Sequence, residues 1–512
     1  MAKVNISYSE MQIISTMKPL SQYHLQKWNL FKKPSSQISQ MLLLVFLLIV
    51  SLDVIESQFR VKSLPGFDGD LPFTLETGYI GVGDLDDVQL FYYFIESEGN
   101  PKEDPLMLWL TGGPGCSALS GLLFEIGPFT FDYAKSTLEN PILEINPYSW
   151  TKAASIIFLD QPAGSGFSYA RSPHAYITND TMSAMHAYNF LKKWLVDHPK
   201  FLNNALYLGG DSYMGIVLPM IVQEIYNGNK DKEGMKINLK GYILGNPITD
   251  TSGDYNAKIP FAHRMALLSD AIYKSANENC HGDYLNVAPN NGPCIHELIV
   301  LDKCIGQIYK PHILEPQCET TNALKYDLFR RVLRALDNTS GNILGLPEVQ
   351  IQGCRDDNYL YSCAWANRRD VREAFHISEE FSDIEWVRCN ETLLFNYGEE
   401  AISYTHNVLS TVDYHRRFAD KTCRALIYSG DHDMIVPYLG TLKWIQSLNL
   451  SVLNDWRPWF VDKQVAGYMI KYSKDDYNLT FATVKGGGHT APEYKPKECL
   501  TMLMRWFVND TL

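Results

Sequence analysis

The stretch LYLGGDSYMG, Leu206–Gly215, places a serine on a glycine-rich turn directly after an apolar run. A hydroxyl there does acyl chemistry only if a base takes its proton and donors hold the charge that forms on the attacked carbonyl. An esterase elbow reads Gly-x-Ser-x-Gly. Here Gly210 and Ser212 keep the first half, Met214 occupies the second glycine's place, and Gly215 follows one residue late. A serine in a glycine turn is more often a helix cap than a nucleophile, so the motif gains weight only from partners. SGDHDMIVP, Ser429–Pro437, supplies Asp433, with Asp431 as a rival for the same role. Asp433 is favoured because it lies nearer the Val-Pro turn. KGGGHTAPEY, Lys485–Tyr494, supplies His489 after three glycines. In this set His489 takes the Ser212 proton while Asp433 holds the imidazole tautomer and stabilises its charged form. TGGPGCS, Thr111–Ser117, is a glycine loop suited to oxyanion binding, and the amides of Gly113 and Tyr213 are the candidate donors. A phosphate-loop reading of it fails because no Gly-Lys-Ser/Thr is present.

Positioning three distant residues requires a scaffold, and the apolar runs describe one. VQLFYYFI, PLMLWLTGGPG, ASIIFLDQPAG, NALYLGGDS, LKGYILGNP, RALIYSGDHD and LTFATVKGGGH each end in glycine or proline punctuation. Such runs predict buried strands with functional loops at their carboxyl ends. Helical patterns lie between several of them, at Met182–His198 and Cys499–Val508, so the expected class is α/β with a mostly parallel central sheet. YMGIVLPMIVQEIY after Ser212 predicts a helix kinked at Pro219. The order Ser212, Asp433, His489 is that of an α/β-hydrolase triad, each residue on a loop after a strand. The stretch 251–388 breaks the rhythm: it lacks clear strands and holds six of the ten cysteines. It reads as an inserted, disulfide-stapled cap between a first core part at 58–250 and a second at 389–512.

Bulk composition narrows the setting. Hydrophobic residues at 46% and charged residues at 20% predict a packed core rather than disorder. The net charge is −13, and the five Lys and three acidic residues of 1–57 leave −15 for the remainder, which argues against nucleic acid and anionic membranes as partners. MLLLVFLLIVSL, Met41–Leu52, is too short for a bilayer, which takes about 20 residues, and suits the apolar part of a secretory signal cut near Ser57. The 40 residues before it are long for such a signal, so a start at Met17 and a retained anchor are the alternatives. All ten cysteines follow this segment with no CxxC pair or zinc spacing, which predicts disulfides rather than metal. Six sequons, at Asn179, Asn338, Asn390, Asn449, Asn478 and Asn509, are candidate glycosylation sites. His281 and His296, without ligand spacing, are read as surface residues.

The motifs LWLTGGPGCSALSGLLFEIGP, LDQPAGSGFSY, GGDSYMG, GDHDMIVP and GGGHTAPEYKP together resemble the plant serine carboxypeptidase-like family over nearly everything after Ser63. That family writes its elbow Gly-x-Ser-Tyr-x-Gly, which accounts for the late glycine. The resemblance implies an α/β-hydrolase fold with an inserted cap, the triad Ser212, Asp433 and His489, and oxyanion amides on Gly113 and Tyr213. It also implies a long-range disulfide from Cys116, with Cys389 as the expected mate, and no cofactor or metal. Carboxypeptidases of the family grip a terminal carboxylate with Asn before the double glycine, Glu before the serine, and the glutamate matching Glu125. This chain has Thr111 before Gly112 and Gly113, and Asp211 before Ser212. Thr offers one hydroxyl where Asn offers two amide donors. Asp is shorter than Glu and, by reference pKa, less readily protonated.

This pairing resembles the acyltransferase branch, which moves an acyl group from a 1-O-β-glucose ester to an acceptor hydroxyl. The expected substrates are then a hydroxycinnamoyl- or galloyl-type acylglucose and a hydroxyl-bearing acceptor. Thr111, Gly112, Glu125 and Asp211 are the expected substrate contacts. A serine carboxypeptidase acting at acid pH is the alternative, and a catalytically silent binding scaffold the reading from another class. The expected location is the vacuole lumen, with secretion as the alternative and no stable membrane association once the signal is removed. Met214 is either a lining residue of the acyl pocket or a packing residue between helix and sheet.

Overall fold

The computed structural model describes residues 58–318, 354–378, 380, 384–395 and 403–509. In chain order its strands are β1 (Gln58–Val61), β2 (Leu75–Val82), β3 (Val88–Ile95), β4 (Leu106–Leu110), β5 (Phe129–Phe131), β6 (Leu143–Ile145), β7 (Ser155–Leu159) and β8 (Tyr169–Ala170). They continue as β9 (Ile177–Asn179), β10 (Leu206–Asp211), β11 (Leu239–Gly245), β12 (Ser403–Thr405), β13 (Arg424–Gly430), β14 (Ser451–Val461), β15 (Gln464–Lys474) and β16 (Tyr477–Val484). One twelve-stranded sheet runs β1-β2-β3-β7-β4-β10-β11-β13-β16-β15-β14, with β8 beside β3.

The centre of this sheet, from β7 to β16, is parallel, and both flanks are antiparallel. Helices cross between the parallel strands and cover both faces, so the central strands are largely buried, and β4, β7 and β10 bury every residue. Successive side chains feed opposite layers. Met107, Trp109, Ile156 and Phe158 join one core, while Leu106, Leu108, Leu110, Ile157 and Leu159 join the other. All seven runs expected to be strands are strands, and the architecture is an α/β-hydrolase fold.

The helix expected after β9 spans Asp180–Asp197 and is capped by the Asn179 side chain, which accepts the Met182 N–H. The helix after Ser212 spans Met214–Gly228 with Pro219 inside it. Among the described residues, the stretch 251–388 contributes helices and no strand, and none of the described helices is long and apolar enough to cross a membrane. Disulfides join Cys116–Cys389, Cys280–Cys294 and Cys318–Cys354. Cys304, Cys363, Cys423 and Cys499 are free thiols, so pairing does not extend to all ten cysteines.

Residues 1–57 with the signal segment, and the sequon at Asn338, lie outside the described residues. Of the other sequon asparagines, Asn449 and Asn509 are exposed, whereas Asn179 and Asn478 are half-buried. Asn390, also half-buried, donates its side-chain amide to the Gly164 carbonyl at 3.0 Å.

Candidate active site

β10 ends at Asp211, and the chain turns sharply into the next helix through Ser212, whose φ is +52°. A non-glycine residue in that region is strained and is held there by its surroundings. The Ser212 N–H donates to Gly245 O at 2.9 Å, and Ser212 O accepts the N–H groups of Gly215 at 3.1 Å and Ile248 at 2.9 Å.

The turn explains the shifted glycine. A Cβ on Gly215 would overlap the carbonyl oxygen of Ile248, so the close approach of backbone to backbone falls at 215 and not at 214. Met214 is buried, and its sulfur accepts the Gln161 side-chain amide at 3.4 Å; Gln161 Oε1 in turn accepts the Ser183 hydroxyl at 2.6 Å. Met214 therefore packs in the core between helix and sheet.

Adjacent parallel strands deliver the partners to the same end of the sheet. His489 Nε2 lies 2.8 Å from Ser212 Oγ, and His489 Nδ1 lies 2.8 Å from Asp433 Oδ2. Asp433 is fully buried and accepts three further bonds, from Asn246 Nδ2 at 2.8 Å, Ile435 N at 2.7 Å and Val436 N at 3.2 Å. Asp431 turns elsewhere, toward His432 Nδ1 and the Gly486 N–H, both at 2.7 Å. Burial opposes an imidazolium at His489, but the charge and hydrogen bond of Asp433 outweigh it, with Asp211 adding to the effect, and the pKa is raised above the ordinary 6.5. A hydroxyl, a base and a buried orienting carboxylate in this geometry can form and break an acyl-serine ester.

The segment after the Gly292–Ile305 helix fixes two of these loops. Pro311 O accepts the His489 N–H at 2.7 Å, Lys310 O accepts the Met434 N–H at 2.9 Å, and the Ile313 N–H donates to His432 O at 3.1 Å.

The glycine loop 111–117 abuts the serine. A Cβ on Gly112 would stand 2.6 Å from Ser212 Cβ and 3.1 Å from its Oγ. The Gly112 N–H donates to Asp211 Oδ1 at 3.1 Å, so that amide is committed within the protein. Among the described residues, the N–H groups of Gly113 and Tyr213 have no protein acceptor, which leaves both open to an oxyanion.

Behind Ser212 lies a buried acidic group. Burial pushes Asp211 up to about 6, against the opposing charge of His489 and the Gly112 hydrogen bond. Burial, then the charges of Asp211 and Glu493, push Glu125 well above the ordinary carboxylate range, with Arg388 opposing. Burial thus overrides the small reference difference between Asp and Glu. Thr111 Oγ1 and Glu125 Oε2 are buried, and neither has a hydrogen-bond partner among the described residues.

Sequence reasoning missed Asn246, Arg388 and Glu493 around this group and the triad. Asn246 links Asp433 to the Gly430 N–H, which its Oδ1 accepts at 3.0 Å; its place at the end of β11, beside β13, was the available signal. Arg388 covers the Tyr359 ring at 4.0 Å. Glu493 accepts Thr490 Oγ1 at 2.7 Å, Arg355 Nη1 at 3.0 Å and the Tyr359 hydroxyl at 3.0 Å. These residues meet only through folding, and no spacing announces them.

Comparison with known proteins agrees with this geometry. The serine carboxypeptidase family profile matches residues 65–509. Serine carboxypeptidase-like 1 of Arabidopsis thaliana is 48% identical over 483 residues, covering 94% of this chain and 99% of its own. Serine carboxypeptidase-like 10 of the same plant is 46% identical over 471 residues, covering 92% and 98%. In fold, the chain is similar to KEX1(Δ)P, a prohormone-processing carboxypeptidase from Saccharomyces cerevisiae, with a TM-score of 0.68 and 20% identity over 90% of this chain and 97% of that one.

Proposed function

From the premise that this chain belongs to the serine carboxypeptidase family, we propose that it is an acyltransferase that moves an acyl group from a 1-O-β-acylglucose to an acceptor hydroxyl. The observation that carries the reading is the environment of Asp211. Its short carboxylate is tied to the Gly112 amide at 3.1 Å, and Thr111 beside it offers a single hydroxyl. That is a poor grip for a peptide's terminal carboxylate and a suitable one for a sugar hydroxyl, which both donates and accepts.

In the proposed reaction Ser212 Oγ gives its proton to His489 Nε2 and attacks the ester carbonyl. The oxyanion rests on the amides of Gly113 and Tyr213. Collapse breaks the bond to glucose, which leaves with the proton from His489. The acceptor hydroxyl then gives its proton to His489 and attacks the acyl-serine; the bond to Ser212 Oγ breaks, His489 returns the proton to that oxygen, and the new ester departs. Water competes at this step, so the helical insertion would serve to exclude it. The same reading places the protein in the secretory pathway, with the vacuole lumen as its destination.

The test is incubation of purified protein with hydroxycinnamoyl or galloyl glucose and a plant metabolite extract, read by mass spectrometry. Glucose release with a new ester is expected, and Ser212→Ala should abolish both. A carboxypeptidase is the second reading, favoured by one observation: buried carboxyls with raised pKa values, Asp211 at about 6 among them, can donate to a carboxylate at acid pH. Release of C-terminal residues from a blocked dipeptide without acylglucose turnover would establish it.

A further inference from the structure

Tyr213, whose amide stands open beside Ser212, is constrained a second time through its ring. Its phenol donates to Asp180 Oδ1 at 2.6 Å, and the Tyr404 hydroxyl donates to the same oxygen at 2.8 Å. Asp180 Oδ2 accepts the Val408 N–H at 2.8 Å. Asp180 is fully buried, and these three donors are all neutral. A buried carboxylate without a paired cation is costly to hold. Its position in the first turn of the Asp180–Asp197 helix offsets part of that cost, because the helix dipole favours negative charge there. His406 Nδ1 lies 2.6 Å from the Tyr213 phenol oxygen. Since the phenol donates its hydrogen bond to Asp180, His406 donates its Nδ1–H to the phenol oxygen, and the ring is gripped from two sides.

The grip joins three parts of the chain. β9, just before Asp180, pairs with β12, which carries Tyr404. Asn407 Nδ2 donates to Thr181 Oγ1 at 3.2 Å, and Thr411 Oγ1 donates to Gly215 O at 2.7 Å. The segment 403–411 therefore straps the start of one helix to the nucleophile turn.

We propose that Asp180 is a positioning residue for the oxyanion hole: by fixing the Tyr213 ring it fixes the peptide plane whose N–H faces the attacked carbonyl. This rests on the reading of Ser212 as the nucleophile. The carbonyl edge of that plane is already held, because Ser212 O accepts the N–H groups of Gly215 at 3.1 Å and Ile248 at 2.9 Å. Anchoring the far end of the Tyr213 side chain adds a second restraint against the tilt that would point the N–H away, and misplacement by about 1 Å costs rate steeply.

The test uses the full protein, a fluorophosphonate probe and an acylglucose. Loss of one oxyanion donor costs about 10²–10³-fold in rate, so Asp180→Asn, which only loosens one, should slow labelling and lower kcat by about 10- to 100-fold. The acylglucose KM should stay within about threefold, because the contact acts on the transition state. Tyr213→Phe, which removes only the phenol oxygen, should act in the same direction. The double variant should be no slower than the slower single one, since both act through one contact. A merely structural aspartate would lower the thermal midpoint and leave kcat unchanged. Failure of the wild-type protein to label would refute the nucleophile reading. Wild-type labelling with an unchanged rate in Asp180→Asn, or effects that multiply, would refute the positioning role alone. If Asp180→Asn does not fold, wild-type kinetics in Tyr213→Phe refutes it.

Discussion

The Thr411 hydroxyl donates a 2.7 Å hydrogen bond to the carbonyl of Gly215, the group that Pro219 leaves without its helical donor. A proline four residues on removes the N–H that would have bonded there, three residues past Ser212, and a side chain from a distant segment replaces it. Thr411→Val keeps the shape and leaves the buried carbonyl unpaired, which should cost about 1–3 kcal/mol. A lower denaturant midpoint and slower fluorophosphonate labelling are expected; an unchanged midpoint would show that the bond contributes nothing.

Asn246 should matter almost as much as the triad it supports. Asn246→Leu removes one of the donors to the buried Asp433 carboxylate and frees the Gly430 amide. One lost bond to a buried carboxylate and one buried amide deprived of its side-chain acceptor predict a loss of roughly 2–4 kcal/mol in stability. A fall in kcat should accompany it, measured on acylglucose turnover at a temperature where the variant is folded. A variant as active and stable as the parent would contradict this account of Asp433.

The clamp has a predictable pH dependence. Asp211 has a folded pKa of about 6, above its ordinary 3.8, so the native state favours its protonated form. The stability this contributes is present below pH 3.8 and lost as pH rises through about 6. Residual release of C-terminal residues from peptides should share that limb, because only the protonated carboxyl donates to a carboxylate. Asp211→Asn should flatten the limb. Conversely, Thr111→Asn combined with Asp211→Glu should raise peptide release and lower acyl transfer, as read by parallel assays on one preparation.

Acid should destabilise the protein through His415. This fully buried ring lies 2.7 Å from the Tyr242 hydroxyl at Nδ1, stacks on Trp444 at 4.6 Å, and is held by burial at a pKa of about 3 instead of 6.5. Between these values the unfolded chain binds a proton that the native chain does not. Stability should therefore fall as pH drops from 6.5 toward 3, by roughly 4 kcal/mol over the full range. Denaturant midpoints of the parent and His415→Phe at several pH values check this; equal pH slopes would rule His415 out as the source.

The Cys116–Cys389 bond joins residues 273 apart and ties the glycine loop to the segment beside Arg388, whose carbonyl also accepts the Ser117 N–H at 2.8 Å. Replacing both cysteines with serine should cost about 2–5 kcal/mol. Labelling of Ser212 should fall with it, because the open Gly113 amide lies on that loop. Normal labelling in the stable fraction would confine the bond's role to stability.

Local chemistry was enough to reveal the frame of this protein. Strands buried on both faces must be continuous apolar runs, and glycine must stand where backbones nearly touch, so β4, β7, β10, β11, β13 and β16 and the loops after them could be read directly. The triad followed because each member sits at such a strand end. The flanking β14–β15 hairpin escaped notice since it lies at the sheet edge, with most of β14 exposed, and carries no buried run. Met214 was undecided between pocket and core, and only the position of Gln161 resolved it. Likewise the Asp180–Tyr404–His406 grip on Tyr213, the Asn246 bond to Asp433, the Arg388–Glu125–Asp211 charges and the choice of which cysteines pair depend on contacts between segments tens to hundreds of residues apart. A single chain records which residues are apolar, small or ionisable, but the distances that turn ionisable groups into a site arise from packing, and packing belongs to the tertiary structure.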